Sequence, residues 1–290
     1  MSRIEQAMEK AARMRQGTQV PMPAQAAATP FAAGSTVMHD PQERRDAPQP
    51  VTSTSPFLVN LTMPFSIAAE EFRKVKSALL DATKKGEFKN TLMVTSALPG
   101  EGKTVTSLNL AISLAEEYDH TVLLVEADLR RPTMHQYLSL EDRPGFSSCL
   151  LGEVDLRDAI TPTGIGKLSI IRAGHSVPNP AELFSSQRTR NLIMEMKSRY
   201  PDRYIIFDTP PILSFTEARS LAQLVDSSLF VVMERHASAS DIKESLEVLK
   251  GCPVLGVVYN GAEQVSRDKR YSYYHRYTEE QQAAKDAATV

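Results

Sequence analysis

The chain has 290 residues, enough for one large or two small domains, and its 42% hydrophobic and 23% charged content is ordinary for a soluble globular protein. A formal net charge of −2 lacks the basic excess of a general nucleic-acid binder, and the two cysteines, Cys149 and Cys252, have neither metal-ligand spacing nor a disulfide framework. No apolar run approaches the roughly 18 residues of a membrane-spanning helix and the N-terminus has no apolar signal core, so the expected setting is a reducing cytoplasm, with a membrane reached only through a partner.

In chain order, residues 1–16 contain "SRIEQAMEKAARM", with Ile4, Met8, Ala11 and Ala12 on one side of a helix and Ser2 with Glu5 as a capping box. So short a helix is marginal alone, and it reads either as a docking helix or as a frayed end. Residues 17–64 read as a flexible linker, rich in Pro, Ala, Ser, Thr and Gln and without an apolar period. Periodicity returns in "SIAAEEFRKVKSALLDATKK", a helix of four or five turns. Apolar runs then start at Thr91, Thr121, Leu168, Tyr204, Ser227 and Val254, with helical patterns near 103–118, 187–199, 216–224 and 238–250. The runs are apolar on both faces, as in strands covered by helices on each side. The alternation predicts one α/β domain over 65–262, a mostly parallel sheet flanked by helices on both faces, followed by a polar tail at 263–290.

"TSALPGEGKTVTSLNLAISLA" lies between the first run and the first of these helices. It reads either as a glycine turn with a surface lysine or as a P-loop. In the second reading Gly100 and Gly102 let backbone N–H groups converge on phosphate, Lys103 reaches the terminal phosphates and the Thr104 hydroxyl ligates Mg²⁺. Ala97 replaces the first glycine of the usual pattern, but an apolar strand precedes the loop, and Val105, Leu108, Ala111, Ile112 and Ala115 follow at core spacing. The P-loop NTPase reading is therefore the stronger one. Pro99, Gly100, Glu101, Gly102, Lys103, Thr104 and Val105 form the candidate ATP-binding stretch.

A magnesium nucleotide also needs carboxylates at neighbouring strand ends. "IIFDTPP" supplies Asp208 in the position of a Walker B aspartate, and "VLLVEADLRRP" supplies Glu126 and Asp128, two apart and so expected to point together. Thr104, Asp128 and Asp208 are the candidate metal ligands. The competing reading, that such acids only cap helices, is weakened by three of them on two strand ends. Arg130 could offset charge on the transferring phosphoryl group.

In this order, "SALPGEGKT", "LLVEADLRRP" and "FDTPP", followed by a tyrosine-rich tail, resemble the bacterial protein-tyrosine kinases of polysaccharide export, in particular their stand-alone cytoplasmic autokinases such as those of exosortase-associated systems. The resemblance covers roughly residues 65–277. It implies that "LLVEADLR" is a second Walker motif whose first acid, usually aspartate, is here Glu126; either acid could be the base, with Asp128 favoured. It implies an oligomer-forming helix bearing Glu70, Arg73 and Lys76, the lysine standing where the family has a second arginine and unable to make a bidentate fork. It implies that Asn260 reads the adenine edge, that the chain forms a homo-oligomeric ring, and that its partners are a transmembrane polysaccharide co-polymerase and a tyrosine phosphatase.

Two fates for the phosphoryl group remain. The related partition and division-site ATPases of the ParA and MinD type hydrolyse ATP as a positioning switch, and commonly carry a lysine ahead of the loop glycines; none is present in "TSALPGEGK". The tail offers acceptors: of nine tyrosines, Tyr271, Tyr273, Tyr274 and Tyr277 fall in "YSYYHRY". Their polar neighbours argue against a buried edge strand. Arg267, Lys269, Arg270 and Arg276 make the unmodified cluster basic, and each added phosphate contributes about −1.5 to −2 charges. The expected activity is autophosphorylation of the tail in trans, with charge reversal loosening the ring or its grip on a partner.

Overall fold

The computed structural model describes residues 51–83, 89–140, 143–199 and 202–262. The expected helix at 1–16 and the tyrosine cluster lie outside the described residues. All six apolar runs are strands: β1 (Thr91–Ser96), β2 (Thr121–Glu126), β4 (Leu168–Ile171), β5 (Arg203–Asp208), β6 (Ser227–Met233) and β7 (Val254–Asn260), with a two-residue β3 (Thr161–Pro162) that had no sequence signal. The sheet order is β3-β4-β2-β5-β1-β6-β7. Only the β3–β4 pair is antiparallel.

Along the central strands, side chains alternate between two cores. Met93, Leu123, Val125, Ile205 and Phe207 face one cluster, while Leu92, Val94, Val122, Leu124 and Ile206 face the other. A period of two with both phases apolar is what a sheet buried on both faces requires. The first cluster is completed by Phe146, Phe184, Ile193 and Leu221 from α4 (Phe146–Leu151), α6 (Pro180–Ser185), α7 (Gln187–Arg199) and α8 (Thr216–Ala222). The second receives Leu79 of α2 (Ile67–Thr83) and Leu108, Ile112 and Leu114 of α3 (Lys103–Ala115). A short α5 (Leu156–Ala159) and α9 (Ala239–Val248) complete the helices, α9 opening with a Ser238–Asp241 capping box.

The expected linker ends earlier than residue 64. Leu58 is fully buried in the second core, and α1 (Val59–Thr62) lies on α3 through two buried asparagines. The Asn60 backbone N–H donates to Asn109 Oδ1 at 3.2 Å, the Asn60 amide donates to the Asn109 carbonyl at 2.7 Å, and the Asn109 amide donates to the Phe57 carbonyl at 2.8 Å. The segment has no amphipathic period because a few single contacts hold it, and composition does not register them.

Candidate active site

Strand order assembles the site. β5 lies between β1 and β2, so the P-loop leaving β1 stands beside Asp208, and Asp208 is the register partner of Glu126. Gly100 and Gly102 have φ of 84° and 87°, left-handed values that side-chain-bearing residues rarely adopt. At Gly102 a Cβ would also lie 2.1 Å from the Asn260 amide nitrogen. Lys103 starts α3 and is buried, so its ammonium is pushed below its ordinary value by burial, opposed by the charges of Asp208, Asp128 and Glu101.

Asp208 is fully enclosed, and burial pushes its carboxyl up to about 7 against the hydrogen bond from Thr104 and the charge of Lys103. Its Oδ1 also accepts from the Ser107 hydroxyl at 3.2 Å. Ser107 lies one helical turn beyond Lys103, the one signal by which the sequence could have marked it. Asp128 is half-buried past the end of β2. Its Oδ1 accepts the Arg130 and Arg131 N–H groups at 3.2 and 3.0 Å, and burial outweighs these bonds to hold the carboxyl above its ordinary range.

Glu126 and Asp128 were expected to point together; the charges of both bear on Asp208, but β2 ends at Glu126 and Asp128 lies beyond it. The longer side chain of Glu126 is committed to backbone donors. Its Oε1 accepts the Thr133 and Met134 N–H groups, both at 2.7 Å, and its Oε2 accepts that of Ala173 at 3.0 Å. The loop so held carries Thr133, whose hydroxyl donates to Thr104 Oγ1 at 3.2 Å. Glu126 therefore shapes the site through Thr133.

Other singled-out residues have definite partners. Arg130 is ion-paired through Nε with the buried Glu217 of α8 and lies 4.9 Å from the centre of the Phe215 ring; neither partner carried a motif. The Asn260 amide donates to the Glu101 carbonyl at 3.1 Å and so touches the P-loop backbone. Glu101 is fully buried, and Pro99 and Val105 flank the loop and the first helical turn. Tyr137, also unmarked in the sequence, has its phenol pKa raised by burial and by the charge of Asp208. On α2, Arg73 bonds Glu70 at 2.6 Å and the Pro64 carbonyl, and Lys76 bonds Glu117 at 2.6 Å.

This donor set suits Mg²⁺, a hard cation usually held by one or two carboxylates together with substrate phosphates and waters. Asp208 and Asp128 supply carboxylates, Thr104 supplies a hydroxyl already hydrogen-bonded to Asp208, and Lys103 adds a buried cation.

Residues 90–251 match the family described as AAA domain. The chain is 34% identical over 219 residues to the tyrosine-protein kinase YwqD of Bacillus subtilis, covering 75% of this chain and 90% of that protein. It is 30% identical to the putative tyrosine-protein kinase CapB of Staphylococcus aureus over 79% of this chain and 98% of that one. The kinase domain of the Escherichia coli tyrosine kinase ETK superposes with a TM-score of 0.67 at 32% identity, covering 73% of this chain and 82% of that domain. The sheet is that of a P-loop NTPase.

Proposed function

The chain belongs to the bacterial tyrosine-protein kinases, and from that premise we propose that it transfers the γ-phosphoryl group of ATP to Tyr271, Tyr273, Tyr274 and Tyr277 of a neighbouring copy. Protein-tyrosine kinase activity is the activity of the family. The observation that carries the assignment of roles is the convergence of Lys103, Thr104, Asp128 and Asp208 at one end of β1, β2 and β5.

The P-loop N–H groups and Lys103 hold the phosphates; Thr104 and Asp208 would hold the cation when Asp128 serves as the base. When bound, Mg²⁺ supplies charge neutralisation on the phosphoryl oxygens. A phenol with an ordinary pKa near 10 needs a base as its oxygen bonds to the γ-phosphorus and the bond to the β–γ bridging oxygen breaks. Asp128 takes that proton. Its carboxyl is half-buried and held above its ordinary range by burial, and its two backbone donors share one oxygen, whereas both oxygens of Glu126 are taken by backbone donors. ADP leaves with the displaced electron pair.

The wider role rests on the sequence resemblance. The chain works as a homo-oligomeric ring assembled through Glu70, Arg73 and Lys76, at the cytoplasmic face of the inner membrane. A transmembrane polysaccharide co-polymerase activates it and a tyrosine phosphatase resets it, so that tail phosphorylation regulates exopolysaccharide synthesis or export. Among the described residues no helix is long and apolar enough to cross a membrane, and the ring reading requires the α2 pairs to open and re-form between copies.

The test is incorporation of labelled phosphate from Mg-ATP into the purified chain, with a fragment of the activator present. Replacing all four tail tyrosines by phenylalanine is expected to remove most of the label, and Lys103→Met all of it. Undiminished label in the four-phenylalanine chain would sink the acceptor assignment; release of free phosphate with an unmodified tail would favour the positioning ATPase.

A further inference from the structure

The turn that follows β6 grips the P-loop from two sides. At its start, the Met233 N–H donates to the Glu101 carboxylate at 3.3 Å, and the other oxygen of that carboxylate accepts the Leu98 N–H at 2.7 Å. Three residues later, the His236 imidazole reaches over the loop, and its Nε2 donates to the Pro99 carbonyl at 2.8 Å. His236 is also the group nearest to the space above Gly100, where a Cβ would lie 3.8 Å from its Nε2. Between the two contacts the chain passes through Arg235 with φ of 58°, the one left-handed non-glycine among the described residues. A side-chain-bearing residue pays for that conformation, and such outliers gather where the fold needs a chain direction that relaxed backbone would not provide.

The same turn closes a circuit with β7. The Glu234 N–H donates to the Asn260 carbonyl at 2.9 Å, and the Asn260 amide returns to the Glu101 carbonyl at 3.1 Å. Pro99, Glu101 and Asn260 are thus tied to Met233, Glu234 and His236. A carboxylate enclosed inside a phosphate-binding loop repels phosphate, so it is unsuited to touching the ligand. Its two oxygens instead accept the backbone N–H groups of Leu98 and Met233, joining the loop to the end of β6.

We propose that Glu101 and His236 are positioning residues that lock the P-loop, from behind and from above, into its phosphate-receiving shape. Neither is required to touch the nucleotide. The inference rests on the reading that nucleotide phosphates bind the P-loop, and is independent of which acceptor receives the phosphoryl group. A pre-formed loop spares the ligand the cost of ordering it, and the gain is the same in the ground and transition states, so it belongs in binding rather than turnover.

The experiment titrates the full-length chain with a fluorescent N-methylanthraniloyl-ADP and Mg²⁺, alongside KM and kcat for ATP. Loss of one hydrogen bond in His236→Ala is expected to weaken probe binding about fivefold, with the loss appearing in KM rather than in kcat. His236→Gln, whose amide nitrogen can reach where Nε2 does, should return binding to within about twofold of the parent chain. Glu101→Gln, which turns an NH₂ group toward a backbone N–H, should weaken binding by about tenfold or more. Unchanged binding in His236→Ala, or His236→Gln as weak as His236→Ala, would overturn the proposal. Should Glu101→Gln fail to fold, the His236 pair alone decides. Because the readout is probe binding, the inference stands or falls separately from tyrosine phosphorylation.

Discussion

At the scale of single residues, burial outweighs the neighbouring cation at Asp208. Its carboxyl is raised to about 7 by enclosure although Lys103 and Thr104 both favour the charged form. In the unfolded chain the same group titrates near its ordinary value of about 3.9. Between those values the native state holds a proton that the unfolded state has released, so this group lowers stability as pH rises from about 4 to about 7. The nucleotide-free protein is expected to lose melting temperature over that window relative to Asp208→Asn, the gap growing with pH and levelling above 7. Parallel melting curves for the two chains across that window would rule this out. The neighbouring acids should separate in another way. Glu126→Gln turns an NH₂ group toward backbone donors and should cost about 1–3 kcal/mol of stability. Asp128→Asn keeps an oxygen for the Arg130 and Arg131 N–H groups and should leave stability nearly unchanged, while cutting phosphotransfer by about a hundredfold or more. Denaturant unfolding and initial-rate assays on both variants check this, and the opposite pattern would exchange the two roles.

At the scale of elements, α1 is held by contacts that leave no periodic trace. Leu58→Ala removes a fully buried side chain from the core beneath α3 and should destabilise the domain by about 2–5 kcal/mol. A loss below about 0.5 kcal/mol in chemical denaturation would show the segment to be a tether after all. The strands were legible for the converse reason. Met93 and Leu92, or Leu123 and Val122, serve opposite cores, so each run had to be apolar in both phases. Helices α3, α7, α8 and α9 were also found where the pattern put them, ending up to three residues earlier than expected. Between 143 and 186 only the strand at Leu168 was legible. The helices of this region, α4, α5 and α6, have six, four and six residues, too few turns for a helical period to emerge. What holds this region is a close backbone approach: a Cβ on Gly145 would lie 2.2 Å from the Gly174 nitrogen. There the Phe146 and Ser147 N–H groups donate to the Arg172 and Ala173 carbonyls at 2.7 and 2.9 Å. Ala173, beside that contact, donates its N–H to Glu126 Oε2 at 3.0 Å.

At the scale of the whole molecule, the proposed choice of acceptor rests on charge. Exposure alone does not select an acceptor, because Tyr118 and Tyr259 are 91% and 58% exposed whereas Tyr204 is buried with its hydroxyl on Thr83. The tail cluster is set apart by four basic neighbours that suit a site lined by Asp128 and Asp208. Transfer between copies predicts the outcome of mixing Lys103→Met, tail intact, with a chain whose four tail tyrosines are phenylalanine and whose P-loop is intact. Label is expected on the Lys103→Met chain, resolved from its partner by an affinity-tag mass difference, and its absence there would restrict transfer to within one chain. The P-loop, the strand-end position of Asp208 and the two-sided strands were determined by the sequence alone, because each is local: one loop, one strand end, one period of two. The engagement of Glu126 by three backbone N–H groups, the pairing of Arg130 with Glu217 and the contact of His236 with Pro99 were decided only by tertiary structure. Each joins residues distant in sequence, or depends on where a strand stops, and hydrogen bonds made across such distances leave no pattern along the chain.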